Sequence, residues 1–287
     1  MCCQGVLHKC RLTSFSSLLA PWQKIDTVNT FLIPCVAFIL RGSAVPKTPL
    51  KKADAEIRWL FKRWLHLVLR ASNKVLHIPY RQGGASVPCM GDLCDIAVVT
   101  HAFCLLTCPD AMVRTIAASA LEETARKRIR RQPTGSDLAT FLSGLLEGEF
   151  SRDGGECASL WSRARNAMHH LRKCISCAWT WTEERRELRV SLQPAPHADP
   201  VTVRPRMRTF VERFLKDAVQ NKYAGDLRAK PDQGKVFNVT SKWDSSNYFM
   251  LSGSFTHFAD WRFLHRARLN CLPLNGAVRF GHWDKRC

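Results

Sequence analysis

Acidic residues are scarce in this sequence. Its 287 residues include 24 Asp and Glu against 43 Lys and Arg, which gives a formal net charge of +19 at pH 7. The shortage extends along most of the chain, since residues 1–50 contain a single acid, Asp26. This balance favours polyanionic partners, because Lys and Arg gain affinity by displacing the counterions condensed on phosphates. On charge alone, an acidic membrane surface and simple solubility remain the alternatives.

Long apolar segments are also missing. The most apolar run, residues 31–40, is well below the roughly 20 residues that a membrane helix needs. The first ten residues contain no continuous apolar run before a small-residue cleavage site, which excludes a typical secretory signal. Thirteen cysteines, an odd number at irregular spacing, are typical of reduced thiols rather than of a disulfide framework. We therefore expect a nuclear or cytoplasmic protein without a membrane partner.

The usual signatures of catalysis are absent as well. The sequence has no G-x-S-x-G elbow, no P-loop and no adjacent Asp-Asp pair. A two-metal polymerase needs clustered carboxylates that hold two cations about 4 Å apart. Pairs of glutamates occur at 122–123 and 183–184, but arginines follow both, and pairing on a helix surface explains them better. We predict no catalytic residue, no cofactor and no small-molecule substrate for this chain.

Possible metal ligands come together in one segment, which contains His169, His170, Cys174 and Cys177. A Cys-x-x-Cys pair can bind zinc, but a structural site needs four ligands, and no second pair lies at the usual spacing. Cys287 ends the sequence and could open a further site whose other ligands are missing. The sequence therefore predicts no complete metal site. A non-enzymatic interaction protein with a Cys/His metal site stays an alternative.

Helical periodicity is what the sequence has in abundance. One helix is predicted after Thr48 and Pro49, with Ile57, Phe61 and Trp64 on its buried face. Asp110 is predicted to cap another helix. The full set of predicted helices comprises 22–40, the one that follows Thr48, 92–107, 110–130, 136–147, 158–173, 206–223 and 256–270.

Two segments break the helical pattern. The tract 193–205 contains four prolines and little apolar content, which indicates a linker. Residues 226–254 are polar and include the short strand-like pieces KVFNV and NYFML. We therefore predict a mainly α fold with a small α/β-like segment near the C-terminus.

Basic residues alternate with aromatic residues in three segments, 58–64, 179–189 and 260–268. Arg and Lys can contact phosphates while exposed aromatic rings stack on bases. Trp179 and Trp181, which lie outside a clear apolar stripe, are the better candidates for stacking. An ordinary solvated helix face is the alternative for the basic residues of 58–64.

Four stretches carry a more specific signal. They are APWQKIDTVNTFLIPCVAFILRGSAV, RASNKVLHIPYRQGGASVP, VVTHAFCLLTCPDAMVRTIA and DWRFLHRARLNCLPLNGAVRFGHWDKRC. Together they resemble the region downstream of the active site in non-LTR retrotransposon polyproteins, in the site-specific group that pairs a reverse transcriptase with a restriction-like endonuclease. The resemblance covers nearly the whole chain in order and is weakest across 185–255.

The resemblance implies a domain organisation. The divisions that it implies are an N-terminal remnant of the palm at 1–21, a thumb-like helical region at 22–82, a helical continuation at 83–192, the Pro-rich linker at 193–205 and a C-terminal linker segment at 206–287. Cys287 would match the first position of a Cys-Cys-His-Cys zinc knuckle. The polymerase's Asp-Asp motif and the endonuclease would lie outside this chain. Mg and Zn are thus implied for an intact polyprotein only.

The resemblance also implies a function. The chain is expected to be a reverse-transcriptase fragment that binds RNA, an RNA–DNA hybrid or DNA but cannot polymerise alone. Its glycines would let the backbone approach a duplex while basic side chains meet the phosphates. The predicted nucleic-acid-binding residues are Arg58, Lys62, Arg63, Arg70, Asn73, Lys74, Tyr80, Arg81, Gln82, Gly83, Gly84, Arg262, Arg266 and Arg268. A domesticated, non-enzymatic nucleic-acid-binding protein is the alternative.

Overall fold

The chain divides into two units, each discontinuous in sequence. The computed structural model describes residues 18–151, 159–184, 187–193, 199–205, 207–250 and 257–272. Unit 1 comprises Met1–Val36, Pro46–Met90 and Gln220–Cys287, and unit 2 comprises Ala37–Val45 and Gly91–Val219.

The regular elements in the described part of unit 1 are helices and 3-10 turns. A helix α1, Pro21–Thr27, continues through a π-helical turn, Val28–Leu32, into α2, Ile33–Gly42, which ends in unit 2. The remaining elements are α3 (Lys47–Trp64), 3-10 turns at Asn73–Leu76 and Tyr80–Gln82, the end of α8 (Arg208–Arg228), α9 (Gln233–Thr240), a 3-10 turn at Asp244–Met250 and α10 (Phe258–Arg268).

The core of unit 1 forms where the apolar stripe of α3 predicted it. Ile57, Phe61 and Trp64 are buried, which confirms the predicted face of this helix. The predicted cap at Thr48 is wrong, since α3 begins at Lys47. Proline is tolerated in the first turn of a helix, where its missing N–H has no helical acceptor, so Pro49 does not mark the start.

Unit 2 combines helices with one small sheet. Its elements are α4 (Met90–Leu106), α5 (Ala111–Ile129), α6 (Gly135–Leu142), a 3-10 turn at Gly148–Ser151, α7 (Leu160–Leu171) and the strands β1 (Ser176–Thr182), β2 (Glu187–Gln193) and β3 (Val201–Val203). The strands are antiparallel in the order β1-β2-β3. Asp110 accepts hydrogen bonds from the backbone N–H groups of Met112 and Val113, which confirms its capping role.

The sheet packs on α6 through its buried side chains. Cys177 and Trp179 alternate with exposed residues along β1, as expected for a strand with one face in a core. The backbone N–H of Trp179 donates to Ser143 Oγ at 2.8 Å, at the end of α6. Three residues of the tract predicted to be a linker, Val201–Val203, belong to this sheet.

The predicted fold class, mainly α with a small α/β segment, is confirmed. The predictions of strand for KVFNV and NYFML are wrong for the described residues, because 235–239 lie in α9 and 247–250 lie in the 3-10 turn Asp244–Met250. Leu251 lies outside the described residues. Phe237 is fully buried in α9, and a Cβ on Gly234 would lie 2.4 Å from the carbonyl oxygen of Arg228, so the segment packs closely within unit 1. Tertiary packing has therefore overridden a local strand preference.

One helical run is longer than the apolar stretch that the sequence suggested. Pro21–Arg41 contains 21 residues with a mean hydropathy of 1.2, enough by length and composition to cross a membrane. Soluble core helices meet the same criterion, and this run buries Ile25, Leu32 and Leu40. Its other side leaves Phe31 and Phe38 exposed.

Candidate nucleic-acid interface

Helix α3 presents basic side chains beside its buried stripe. Lys62 donates from Nζ to the carbonyl of Leu69 at 2.6 Å. Burial lowers the pKa of Lys62, and the nearby charges of Lys230 and Arg58 lower it further, against an opposing effect of Cys271. Lys62 therefore lies among other cations, which is the electrostatic condition for attracting a polyanion.

Helix α10 brings two more arginines close to the end of α3. Arg266 Nε donates to the carbonyl of His66 at 2.7 Å. Burial lowers the pKa of the His66 imidazole, and the charges of Arg262 and Arg266 lower it further. The Nε atom of Arg262 is buried without a hydrogen-bond partner among the described residues. Arg262 and Arg266 are thus neighbours of α3 despite a separation of about 200 positions in sequence.

Arg70 joins this group through Cys271. Burial raises the pKa of the Cys271 thiol, and the charge of Asp232 raises it further, while the nearby Arg70 and Lys62 lower it. We call the group formed by Arg58, Lys62, Arg70, Lys230, Arg262 and Arg266 the basic surface. Within the part of the chain that the structure describes, none of these six residues forms an ion pair with a carboxylate. Their charges are therefore available to an external anion.

An exposed tryptophan lies on the same helix as three of the predicted binding residues. The indole of Trp59 is 41% exposed, and the guanidinium of Arg63 lies 4.9 Å from its ring centroid. Such a cation–π pair leaves both groups at the surface. Trp59 was not singled out from the sequence, although its position off the apolar stripe of α3 is visible there.

Several residues of the 70–88 block are instead engaged within unit 1. Lys74 Nζ forms an ion pair with Asp226 at 2.9 Å and lies 4.8 Å from the ring centroid of Tyr223. Gln82 Nε2 donates to Asn221 at 3.2 Å. These contacts anchor the block to the end of α8.

The hydroxyl of Tyr80 and the two glycines also have partners inside unit 1. Tyr80 Oη accepts a hydrogen bond from Asn29 Nδ2 at 2.9 Å, and burial raises the pKa of this phenol. A Cβ atom on Gly84 would lie 2.2 Å from the carbonyl oxygen of Ile78. Gly83 has a φ of +84°, and a Cβ there would lie 2.7 Å from Arg268 Nη1. Other atoms of the protein therefore occupy the space beside these two glycines, which was predicted to accommodate a duplex.

Arg268 is buried, unlike the arginines of the basic surface. Its Nη2 donates to the carbonyls of Thr240 and Ser246 and to Asn247 Oδ1 at 2.6–2.7 Å. The ring of Phe249 lies 4.7 Å from the guanidinium carbon. Burial lowers the pKa of Arg268 to about 10, so the side chain stays charged at neutral pH. Through these contacts Arg268 holds the segment 240–247 in place.

The last two predicted residues, Asn73 and Arg81, are exposed. Asn73 opens a 3-10 turn, and the carbonyl of Arg81 accepts a hydrogen bond from Asn247 at 2.7 Å. The structure therefore brings Arg58, Lys62, Arg70, Arg262 and Arg266 together and adds Lys230. It uses Lys74, Tyr80, Gln82, Gly83, Gly84 and Arg268 for contacts within unit 1.

The Cys/His segment of unit 2 does not assemble a metal site. Among the described residues, no three His, Cys, Asp or Glu side chains are placed to hold a metal ion. His169 and His170 instead contact the carbonyl of Gly144 and the carboxylate of Asp95. Burial raises the pKa of Cys177 to about 12, which disfavours the thiolate that zinc requires. Cys287 lies outside the described residues.

The two tryptophans favoured for base stacking are held within unit 2. Trp179 is buried in β1. The indole of Trp181 lies so close to Gly135 that a Cβ there would be 2.2 Å from the ring. The residues of β1 alternate between the core and the exposed face, which buries Trp179. Trp181 is half-buried, so stacking by Trp181 stays a prediction. The stacking prediction for Trp179 is wrong.

Comparisons with known proteins give both a family and a partial likeness. Over 70 residues, or 24% of the chain, the sequence is 34% identical to the retrovirus-related Pol polyprotein from the type-2 retrotransposable element R2DM of Drosophila melanogaster, of which 7% is covered. Over 263 residues, or 90% of the chain, it is 23% identical to the uncharacterised protein T26G10.4 of Caenorhabditis elegans, of which 75% is covered. The model of the T26G10.4 domain matches residues 96–271, more than half of the chain. The chain therefore belongs to the T26G10.4 domain family.

Proposed function

We propose that this chain binds RNA or an RNA–DNA duplex through the basic surface, as a polymerase-related protein without polymerase chemistry of its own. The observation that carries the proposal is the convergence of Arg58, Lys62 and Arg70 with Lys230, Arg262 and Arg266. Arg58 and Lys230 are charged neighbours of Lys62, Arg262 and Arg266 are charged neighbours of His66, and Arg70 lies with Lys62 beside Cys271. None of the six cations has a carboxylate as an ion-pair partner among the described residues. Such mutual repulsion is relieved when phosphates bind.

The partial likeness to a retrotransposon Pol polyprotein supports the same proposal. That match covers about a quarter of this chain and a small part of the polyprotein, so it bears on a local function such as holding nucleic acid. In this proposal the chain acts as a duplex-holding element, comparable with a polymerase thumb. Polymerase and endonuclease activities are not assigned to it.

The salt dependence of RNA binding tests the proposal. A filter-binding titration of the full chain with structured RNA, repeated from 50 to 300 mM salt, gives the slope of log K against log salt. Each neutralised phosphate contributes about −0.7 to −0.9 to that slope, so contacts from six residues predict a value of about −4 to −5. Affinity that does not change with salt, or no binding at low salt, would overturn the proposal.

A further inference from the structure

Trp243 is an exposed aromatic side chain outside the basic surface. Its indole is 66% exposed, and Val239, on the last turn of α9, is 74% exposed. Lys242 Nζ lies 5.4 Å from the centroid of the Trp243 ring. Proteins that bind single-stranded nucleic acid combine basic residues, which follow the backbone, with aromatic side chains on which bases stack.

The backbone that carries Trp243 is held in place from inside unit 1. Buried Arg268 donates to the carbonyl of Thr240 on one side of Trp243 and to that of Ser246 on the other. The carbonyl of Trp243 itself accepts hydrogen bonds from the backbone N–H and the hydroxyl of Ser246 at 3.0 and 2.7 Å. The indole therefore projects from a fixed turn, which lowers the entropic cost of binding a ligand.

The charges around this turn favour an anionic ligand. Lys235 and Lys242 are both exposed on α9 and just after it. Arg81 is exposed, and its carbonyl accepts a hydrogen bond from Asn247 in the same segment. Against these positive charges stands one acidic neighbour of Trp243 in the sequence, Asp244. An RNA strand supplies the matching pair of features, a flat base and a phosphate on either side of it.

We propose that Trp243 stacks on an unpaired base of a bound RNA strand, while Lys242 and Lys235 contact the flanking phosphates. This inference rests on the proposed function, since it names the part of the nucleic acid that a second surface of unit 1 would take. The base must be unpaired because the faces of bases inside a duplex are already stacked on their neighbours. Stacking on an aromatic ring tolerates any base, so we expect little sequence preference.

The test compares single-stranded with duplex RNA in the full chain. A single-stranded RNA with a central 2-aminopurine reports stacking, because its fluorescence falls when the base stacks on an indole. We expect Trp243→Ala to lower affinity for this RNA about 10-fold and to abolish the fluorescence decrease at that site, with duplex affinity unchanged. Trp243→Phe should retain most of the affinity. Phe38→Ala, which removes another exposed aromatic ring, is the matched control and should have no effect.

The outcomes separate this inference from the proposed function. If the wild-type chain binds both RNAs with a steep salt dependence but Trp243→Ala binds the single strand as tightly as wild type, only the stacking inference is overturned. If the wild-type chain binds neither RNA, both proposals are overturned. An equal loss of affinity for single-stranded and duplex RNA would also contradict stacking on an unpaired base.

Discussion

The most basic run in the sequence and the basic surface of unit 1 use their charges differently. Residues 126–131 contain five cations in six positions at the end of α5. Within that run Arg131 forms ion pairs with Asp137 at 2.6 Å and with Glu149 at 3.0 Å. The six cations of the basic surface are farther apart in the sequence, yet none of them forms an ion pair with a carboxylate of the described residues.

This difference shows that the density of charge along the sequence does not predict which cations lack a carboxylate partner in the fold. Lys127 of the basic run is also paired, with Glu123 at 2.8 Å. Cations in the last turn of a helix interact favourably with its carbonyl ends, which gives this run a second structural role. Lys62 and Arg266 of the basic surface also lie in the last turns of their helices, α3 and α10. The two groups therefore differ in their ion pairs and not in their interactions with helix ends.

The largest expected effect concerns a basic residue of unit 1 that is not at the surface. We expect Arg268→Ala to lower the free energy of unfolding by about 3 kcal/mol, because several buried acceptors lose a charged donor at once. Chemical denaturation followed by circular dichroism measures this change. Arg262→Ala, in the same helix, is the control and should lower it by no more than about 0.5 kcal/mol. Equal effects would show that Arg268 does not hold the segment 240–247.

The second prediction addresses the ion pairs of the basic run. Hydrogen bonding from Arg131 is the largest cause that lowers the pKa of Asp137, to about 2. A carboxyl with a depressed pKa stabilises the folded state above its unfolded value of about 3.8, and this contribution is lost as the pH falls towards 2. We therefore expect Asp137→Asn to lower the melting temperature at pH 6 but not at pH 2. A pH-independent difference between the two proteins would contradict the ion-pair account.

The smallest expected effect uses His66 as a probe of the basic surface. Burial and the charges of Arg262 and Arg266 lower the pKa of its imidazole. Replacing both arginines with alanine should raise this pKa towards the ordinary value of 6.5 without reaching it, since burial is the larger cause. Binding of RNA to the wild-type chain should raise it too. NMR titration of the His66 ring protons measures both shifts, and a constant pKa would place the RNA elsewhere.

The helices were predictable because their signals are local. The stripe of Ile57, Phe61 and Trp64 and the cap at Asp110 follow from spacing and side-chain chemistry over one or two turns. The sheet was missed although Cys177 and Trp179 alternate with exposed residues along β1, because the neighbouring arginines suggested a binding segment instead.

The candidate site was predictable only in part. Arg58 and Arg262 could be proposed from their aromatic and basic neighbours, but their convergence around His66 and Lys62 depends on packing between segments about 200 positions apart. The distinction between half-buried Arg262 and buried Arg268, six positions later in the same helix, likewise needs the tertiary structure. The sequence indicated which types of residue would form the candidate site. Burial and ion pairing in the folded unit determine which of their charges are available to a ligand.

The most direct measurement compares two double variants that remove the same number of charges. The variant Arg262→Ala with Arg266→Ala alters the basic surface, whereas Arg126→Ala with Arg130→Ala alters the exposed part of the basic run. For RNA binding, we predict that the slope of log K against log salt becomes shallower by about 2 in the first variant and stays unchanged in the second. Equal changes in both variants, or a change in the second alone, would contradict the assignment of binding to the basic surface.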